Sequence, residues 1–239
     1  GAIYSDAYLN QSGVTGYRDV DVMYGARAKV QYQQMFDQNG QALPSVPIPA
    51  VLDTGAIAAG MQGKVIGAGD LKINGYAMGE LVLNANDADQ PSAIAKWIND
   101  RKIPGLSAEA FNELEIDPAK IDSKLPLLIN GQKIEGYTDL ASLVNAIQAK
   151  VATTGVTARL DDRGHLILSN VPARGGQSIV IGTTNAKDYP ITALGMQATE
   201  WMGRVRLKQA LNESKPEESG ITITFGEQGS PLDLAQLGI

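Results

Sequence analysis

Leu127-Leu128-Ile129-Asn130-Gly131 is nearly repeated 56 positions earlier as Leu71-Lys72-Ile73-Asn74-Gly75. Each places apolar side chains at its first and third positions, the period of a strand with one buried face, and each ends in Asn-Gly, a pair that accepts the positive φ of a tight hairpin turn. Working outward, an amphipathic segment follows each turn. The first carries Ile94, Trp97 and Ile98, the second Leu140, Leu143, Val144, Ile147 and Val151, spacings that put one apolar stripe on a helix. Ser92 and Thr138 stand where a hydroxyl would cap the free amides of the first turn. Beyond each helix a glycine opens an alternating strand, Gly105-Leu106-Ser107-Ala108-Glu109 in one case and Gly155-Val156-Thr157-Ala158-Arg159 in the other. The sequence thus reads as two related strand-helix-sheet units.

The second unit continues through an Asp161-Asp162-Arg163-Gly164 turn into His165-Leu166-Ile167-Leu168 and a further strand at Ser178–Ile181. Its ending, Gln177–Ile181 followed by Ile191-Thr192-Ala193-Leu194-Gly195-Met196, is echoed by Gly220–Phe225 followed by Leu234-Ala235-Gln236-Leu237-Gly238-Ile239. The first unit has no such ending before Pro126, so residues 220–239 are expected to close it, with the second unit nested inside. The organisation read from the sequence is an extended segment over 1–66, an outer unit over 67–125 plus 198–239, and an inner unit over 126–197. Within the extended segment, Ala28, Val30 and Tyr32 alternate as a half-buried strand that ends at a turn over Asp37-Gln38-Asn39-Gly40, and Pro44, Pro47 and Pro49 are expected to interrupt pairing. Trp201–Leu211 reads as a strand.

Composition narrows the function classes. The 239 residues, 44% of them hydrophobic, are enough for one large core or two modest ones. A net charge of −6 without long like-charge runs gives no footprint for nucleic acid or an anionic membrane. No apolar run approaches the roughly 20 residues of a membrane-spanning helix, and Gly1–Asn10 carries no secretory signal pattern. With no cysteine and one histidine, few routes to a thiol or transition-metal site exist, and no cofactor is expected.

A strand ending in Ile-Asn-Gly, an amphipathic helix ending near Ala-Lys, then Thr-Gly-Val-Thr-Ala and a glycine-bounded strand resembles the flagellin hook IN motif, most closely over residues 127–170. The motif occurs in flagellins, hook-associated junction proteins and filament cap proteins, in their outward-facing domains. Ile73, Asn74, Gly75, Ile129, Asn130, Gly131, Gly155 and Val156 are its structural positions here. The first copy departs from the pattern by about ten extra residues, roughly 79–91, between its turn and its helix. The resemblance implies an α+β fold and an extracellular structural protein of the bacterial flagellum that is not an enzyme, is exported without a cleaved signal peptide, and has other flagellar axial subunits as its partners. The long terminal heptad helices that polymerise such proteins are not read in Gly1–Tyr32 or Trp201–Ile239, so this chain in isolation is expected to be monomeric. A secreted adhesin or binding module of similar repeats is the alternative, and heptad-patterned flanking helices would separate the two.

A few other residues invite a chemical reading. Ala50-Val51-Leu52-Asp53-Thr54-Gly55-Ala56 matches the local sequence of aspartic proteases, which need two aspartates sharing a proton; with one such triplet, a dimer would have to supply the partner. The plainer reading of Asp53 is a turn. His165, alone in the chain, reads as a solvent-facing strand residue. Ile66-Gly67-Ala68-Gly69-Asp70 lacks the Lys-Ser/Thr of a phosphate loop and reads as a turn. Asn84, Asn86, Asp87 and Asp89, and Glu113, Glu115 and Asp117, alternate as oxygen ligands of calcium would, without the glycine and late glutamate of an EF-hand, and read as solvated faces. Trp97 is placed in the core.

Overall fold

A computed structural model describes residues 25–117, 119, 127–182 and 200–239, and the backbone of strands at 3–5 and 19–21. The class is α+β. The chain divides into two compact units, one of residues 1–87, 93–109 and 205–239, the other of 88–92 and 110–204. Among the described residues no helix is long and apolar enough to cross a membrane.

The outer unit contains β1 (Ile3–Ser5), β2 (Asp19–Asp21), β3 (Gly25–Ala28), β4 (Gln31–Gln33), β5 (Val46–Ile48), β6 (Ala50–Asp53), β7 (Gly63–Ile66), β8 (Leu71–Ile73), β9 (Tyr76–Ala77), β10 (Leu81–Leu83), helix α1 (Gln90–Asp100) and β11 (Leu106–Phe111). The inner unit follows with β12 (Glu113–Ile116), β13 (Leu127–Ile129), β14 (Gln132–Ile134), helices α2 (Leu140–Gln148) and α3 (Val151–Thr154), β15 (Val156–Leu160), β16 (Leu166–Asn170), β17 (Ile179–Gly182) and β18 (Glu200–Trp201). The chain then returns to the outer unit as β19 (Arg204–Gln209), β20 (Ile221–Phe225) and helix α4 (Pro231–Gln236).

The two units repeat one plan in one register. In the outer unit β8 pairs with β20, Ile73 opposite Ile223 and Lys72 opposite Thr224; in the inner unit β13 pairs with β17, Ile129 opposite Ile181 and Leu128 opposite Gly182. This is the pairing of Ile221–Phe225 with Leu71–Ile73 that nesting requires. The second sheet of each unit also corresponds, with order β11-β19-β6 in one and β15-β16-β12 in the other. Leu52 lies opposite Leu207 as Leu114 lies opposite Leu168. Ala210 N–H donates to Gly105 C=O just as Val171 N–H donates to Gly155 C=O, both at 2.8 Å. In the inner unit β15 and β16 are joined by the tight Asp161–Gly164 turn; in the outer unit the whole inner unit stands at that point of the chain.

Each helix buries its stripe against its own sheets. Ile94 and Ile98 of α1 join a core with Leu52, Leu71, Ile73, Val205, Leu207, Ile221 and Ile223, and Leu143 and Ile147 of α2 join a separate one with Leu114, Leu127, Ile129, Val156, Leu168 and Ile181. Burying each such side chain stabilises its unit by about 1.5–3 kcal/mol. An amide side chain at each helix end ties it to the next strand: Asn99 exchanges two 2.8 Å bonds with the backbone of Ala108, and Ala158 N–H donates to Gln148 Oε1 at 3.3 Å.

Several local expectations need correction. The caps sit one or more residues from those proposed, each an aspartate that precedes the first helical residue and accepts from a free first-turn amide. Asp89 caps α1, accepting from Ser92 N–H at 3.1 Å, so Ser92 is a partner rather than the cap. Asp139, not Thr138, caps α2 in a reciprocal box with Ser142, whose N–H and hydroxyl hold the Asp139 carboxyl below the ordinary aspartate range. The strand through Ala28, Val30 and Tyr32 is broken at Lys29-Val30 into β3 and β4, leaving Tyr32 exposed. Pro47 lies within β5 opposite Tyr32, tolerated because β5 is the edge of a two-stranded ribbon. Asp37–Gly40 does form the turn of that ribbon, held by Asp37 Oδ1, which accepts from Asn39 and Gln41 N–H at 2.9 and 2.8 Å. The inner tail at Ile191–Met196 lies outside the described residues.

Candidate functional site

The paired Ile-Asn-Gly turns are the feature that organises both units. Asn74 and Asn130 adopt left-handed φ of 50° and 49°, and the following Gly75 and Gly131 lie at 80° and 79°. Two successive positive φ values define a type I′ turn, whose twist matches that of the flanking strands, and Asn is the side-chain-bearing residue that enters this region at least cost. With the backbone so placed, each asparagine reaches sideways to the closing strand. Asn130 N–H donates to Val180 C=O at 2.9 Å while its Oδ1 accepts from Val180 N–H at 2.8 Å; Asn74 does the same with Thr222, both bonds at 2.8 Å. The side-chain amide therefore extends the ladder by one residue beyond the strand. Asn130 Nδ2 also donates to Thr154 C=O at 2.9 Å, tying the end of α3 to the turn, while Asn74 Nδ2 donates to Gln209 Oε1 at 3.0 Å.

The remaining motif positions are structural as well. Ile73, Ile129 and Val156 are fully buried. Gly155 ends α3 with φ 72°, where its N–H donates to Val151 C=O at 2.8 Å, so it closes the helix and starts β15 in one step. Gly105 holds the same φ of 72° before β11.

Asp53 does not sit in a turn. It ends β6 with no exposed surface, and Arg206 on β19 grips both oxygens, Nε to Oδ1 at 2.9 Å and an Nη to Oδ2 at 3.1 Å. Next to it Thr54 continues the ladder, its N–H donating to Val205 C=O and its Oγ1 accepting from Val205 N–H, and Gly55 N–H donates to Gly238 C=O. A bidentate guanidinium occupies both carboxylate oxygens of a side chain with no exposed surface, whereas a protease dyad needs a second carboxylate sharing a proton and a face open to substrate. Ile66–Asp70 is the expected turn, closed by Gly67 N–H to Asp70 Oδ2 at 3.0 Å.

A second polar grouping lies at the tip of the β15–β16 hairpin. Asp161 Oδ1 accepts from Arg163 N–H at 2.9 Å and His165 N–H at 2.8 Å, fixing the turn and leaving Oδ2 beside the Arg163 guanidinium at 3.1 Å. Glu115 on the neighbouring β12 brings Oε1 to 2.7 Å from His165 Nδ1 and pairs with Arg163. His165 is thus a half-buried residue bonded to a carboxylate, which corrects its reading as solvent-facing, and Glu115 is likewise more than a solvated face. Ligand atoms of Glu115, Asp161 and His165 lie within 4.8 Å of one another. The alternation Asp161-x-Arg163-x-His165 was visible in the sequence, but Glu115 is 50 residues from His165 and enters only through strand pairing. Of the other acidic stretch, Asn84 closes a turn by accepting from Asn86 N–H and Asp89 caps α1. Trp97 is partly buried on the outer core and donates to Gly79 C=O at 3.2 Å, and Trp201 packs on the inner core.

No protein-family model matches this chain, and no curated protein matches it.

Proposed function

We propose that the chain is a structural part of the bacterial flagellum, the surface-exposed domain of a flagellin-like or hook-associated protein. The observation that carries this reading is the Ile-Asn-Gly clamp, present twice in the same register and followed each time by helix, left-handed glycine and strand, in the order of the hook IN motif. The motif's Ile73, Ile129 and Val156 fill the cores, and its asparagines bond neighbouring strands and, in the inner unit, the end of a helix, as expected of a rigid module whose task is mechanical. Asp53, the residue an enzymatic alternative would use, is spent on an ion pair.

The test is fractionation. Appendages sheared from cells expressing the gene should contain peptides of this chain by mass spectrometry, and its deletion should alter filament assembly or motility. Recovery in the outer membrane or culture medium, with unaltered motility, would assign the chain to adhesion instead.

A further inference from the structure

We infer that the tip of the β15–β16 hairpin binds one first-row divalent metal ion through His165 Nδ1, Glu115 Oε1 and Asp161 Oδ2, in competition with the Arg163 guanidinium. One ligand atom from each of the three side chains lies within 4.8 Å of the others, and His165 Nδ1 and Glu115 Oε1 are 2.7 Å apart. Donors around a tetrahedral zinc ion, at 2.0–2.2 Å from the metal, stand roughly 3.4 Å apart, so small side-chain rotations bring this set to bonding distance. The set is also held in advance. Asp161 spends Oδ1 on two backbone amides and offers Oδ2 to the Arg163 guanidinium, Glu115 is fixed on β12 opposite Ile167, and His165 is anchored through its own N–H. Side-chain exposures of 22% for Glu115, 19% for Asp161 and 26% for His165 leave them partly desolvated yet reachable from solvent, which would complete the coordination.

Arg163 indicates what the position between the carboxylates prefers. Its guanidinium pairs with both, so the place already attracts a cation, and with 63% of its side chain exposed it can leave at little cost. A divalent ion brings twice the charge and accepts the imidazole lone pair, which a guanidinium cannot. One nitrogen with two carboxylates suits Zn2+, Co2+ or Ni2+ rather than Ca2+, which takes six to eight oxygens. The site belongs to the inner unit alone: register places Asp53 and Arg204 where Glu115 and His165 stand, and that pair offers no imidazole.

The experiment titrates Zn2+ and Co2+ chloride into the tag-free chain, with calorimetry for affinity and the resonances of the single imidazole for location. One ion should bind per chain and shift or broaden the His165 signals. Arg163→Ala should tighten binding about tenfold by removing the competing charge, and Glu115→Gln should weaken it at least about tenfold. His165→Ala, checked for folding by circular dichroism, should remove the site. The inference is overturned if neither the wild type nor Arg163→Ala binds Zn2+ at millimolar concentration, if the His165 signals do not respond, or if Arg163→Ala binds more weakly.

Discussion

Replacing Asn130 by alanine should destabilise the inner unit by about 3 kcal/mol. The substitution removes two side-chain hydrogen bonds, Val180 N–H to Oδ1 at 2.8 Å and Nδ2 to Thr154 C=O at 2.9 Å, each with a net worth of about 1 kcal/mol. Thr154 is buried, so its carbonyl loses a partner that water does not readily replace. Holding alanine at φ 49° costs about 1 kcal/mol more. Glycine separates the contributions, since Asn130→Gly loses the same bonds without the left-handed penalty and should cost about 2 kcal/mol. The assay is urea unfolding followed by tryptophan fluorescence in a Trp97→Phe background, which leaves Trp201, packed on the inner core, as the reporter. A loss below about 0.5 kcal/mol for Asn130→Ala, within the range of an ordinary surface substitution, would refute the claim that the clamp holds the unit together.

Asn74→Ala, read through Trp97 in a Trp201→Phe background, should cost the outer unit less, about 2 kcal/mol, because its Nδ2 partner is the side chain of Gln209. Ile147→Ala empties a fully buried position and should cost about 2–5 kcal/mol in the same urea assay. Arg206→Ala removes the bidentate cation from the buried Asp53 carboxylate and should lower outer-unit stability by about 3 kcal/mol, whereas Asp53→Asn should leave the chain's behaviour toward a denatured protein at pH 4 to 5 unchanged. Asp139 has a lowered pKa when folded, so it contributes stability above the ordinary aspartate value near pH 4 that is lost as pH falls through the folded value; the melting-temperature gap between wild type and Asp139→Asn should be full at pH 6 and close on acidification below pH 4.

The parts of this fold governed by neighbours in sequence could be read from it. Ile129-Asn130-Gly131 specifies a type I′ turn through its own φ preferences, Leu143 and Ile147 specify a buried helix face by spacing, and the likeness of Gly220–Phe225 to Gln177–Ile181 pointed to the strand that closes the outer unit. What depended on distant partners could not. Arg206 meets Asp53 across 153 positions, so the sequence offered a turn as the plainer reading of Asp53, with a protease triplet as the alternative, and neither foresaw the cation across the sheet. His165 looked solvent-facing because Glu115 lies on a strand whose pairing no local pattern announces. The caps were missed for a finer reason: at Asp89 and Asp139 carboxylate and hydroxyl stand close together, and only geometry shows which accepts from the amides.

The flagellar role is tested most directly by seeing where the domain sits on living cells. These 239 residues contain no cysteine, so a single one at the exposed Asp162 gives them one site for a maleimide dye, with identically treated cells lacking the substitution as the reference. The dye should mark the flagellar appendage, along its length, at its base or at its tip, and should leave with it on shearing. Label that stays on the sheared cell body would contradict the account.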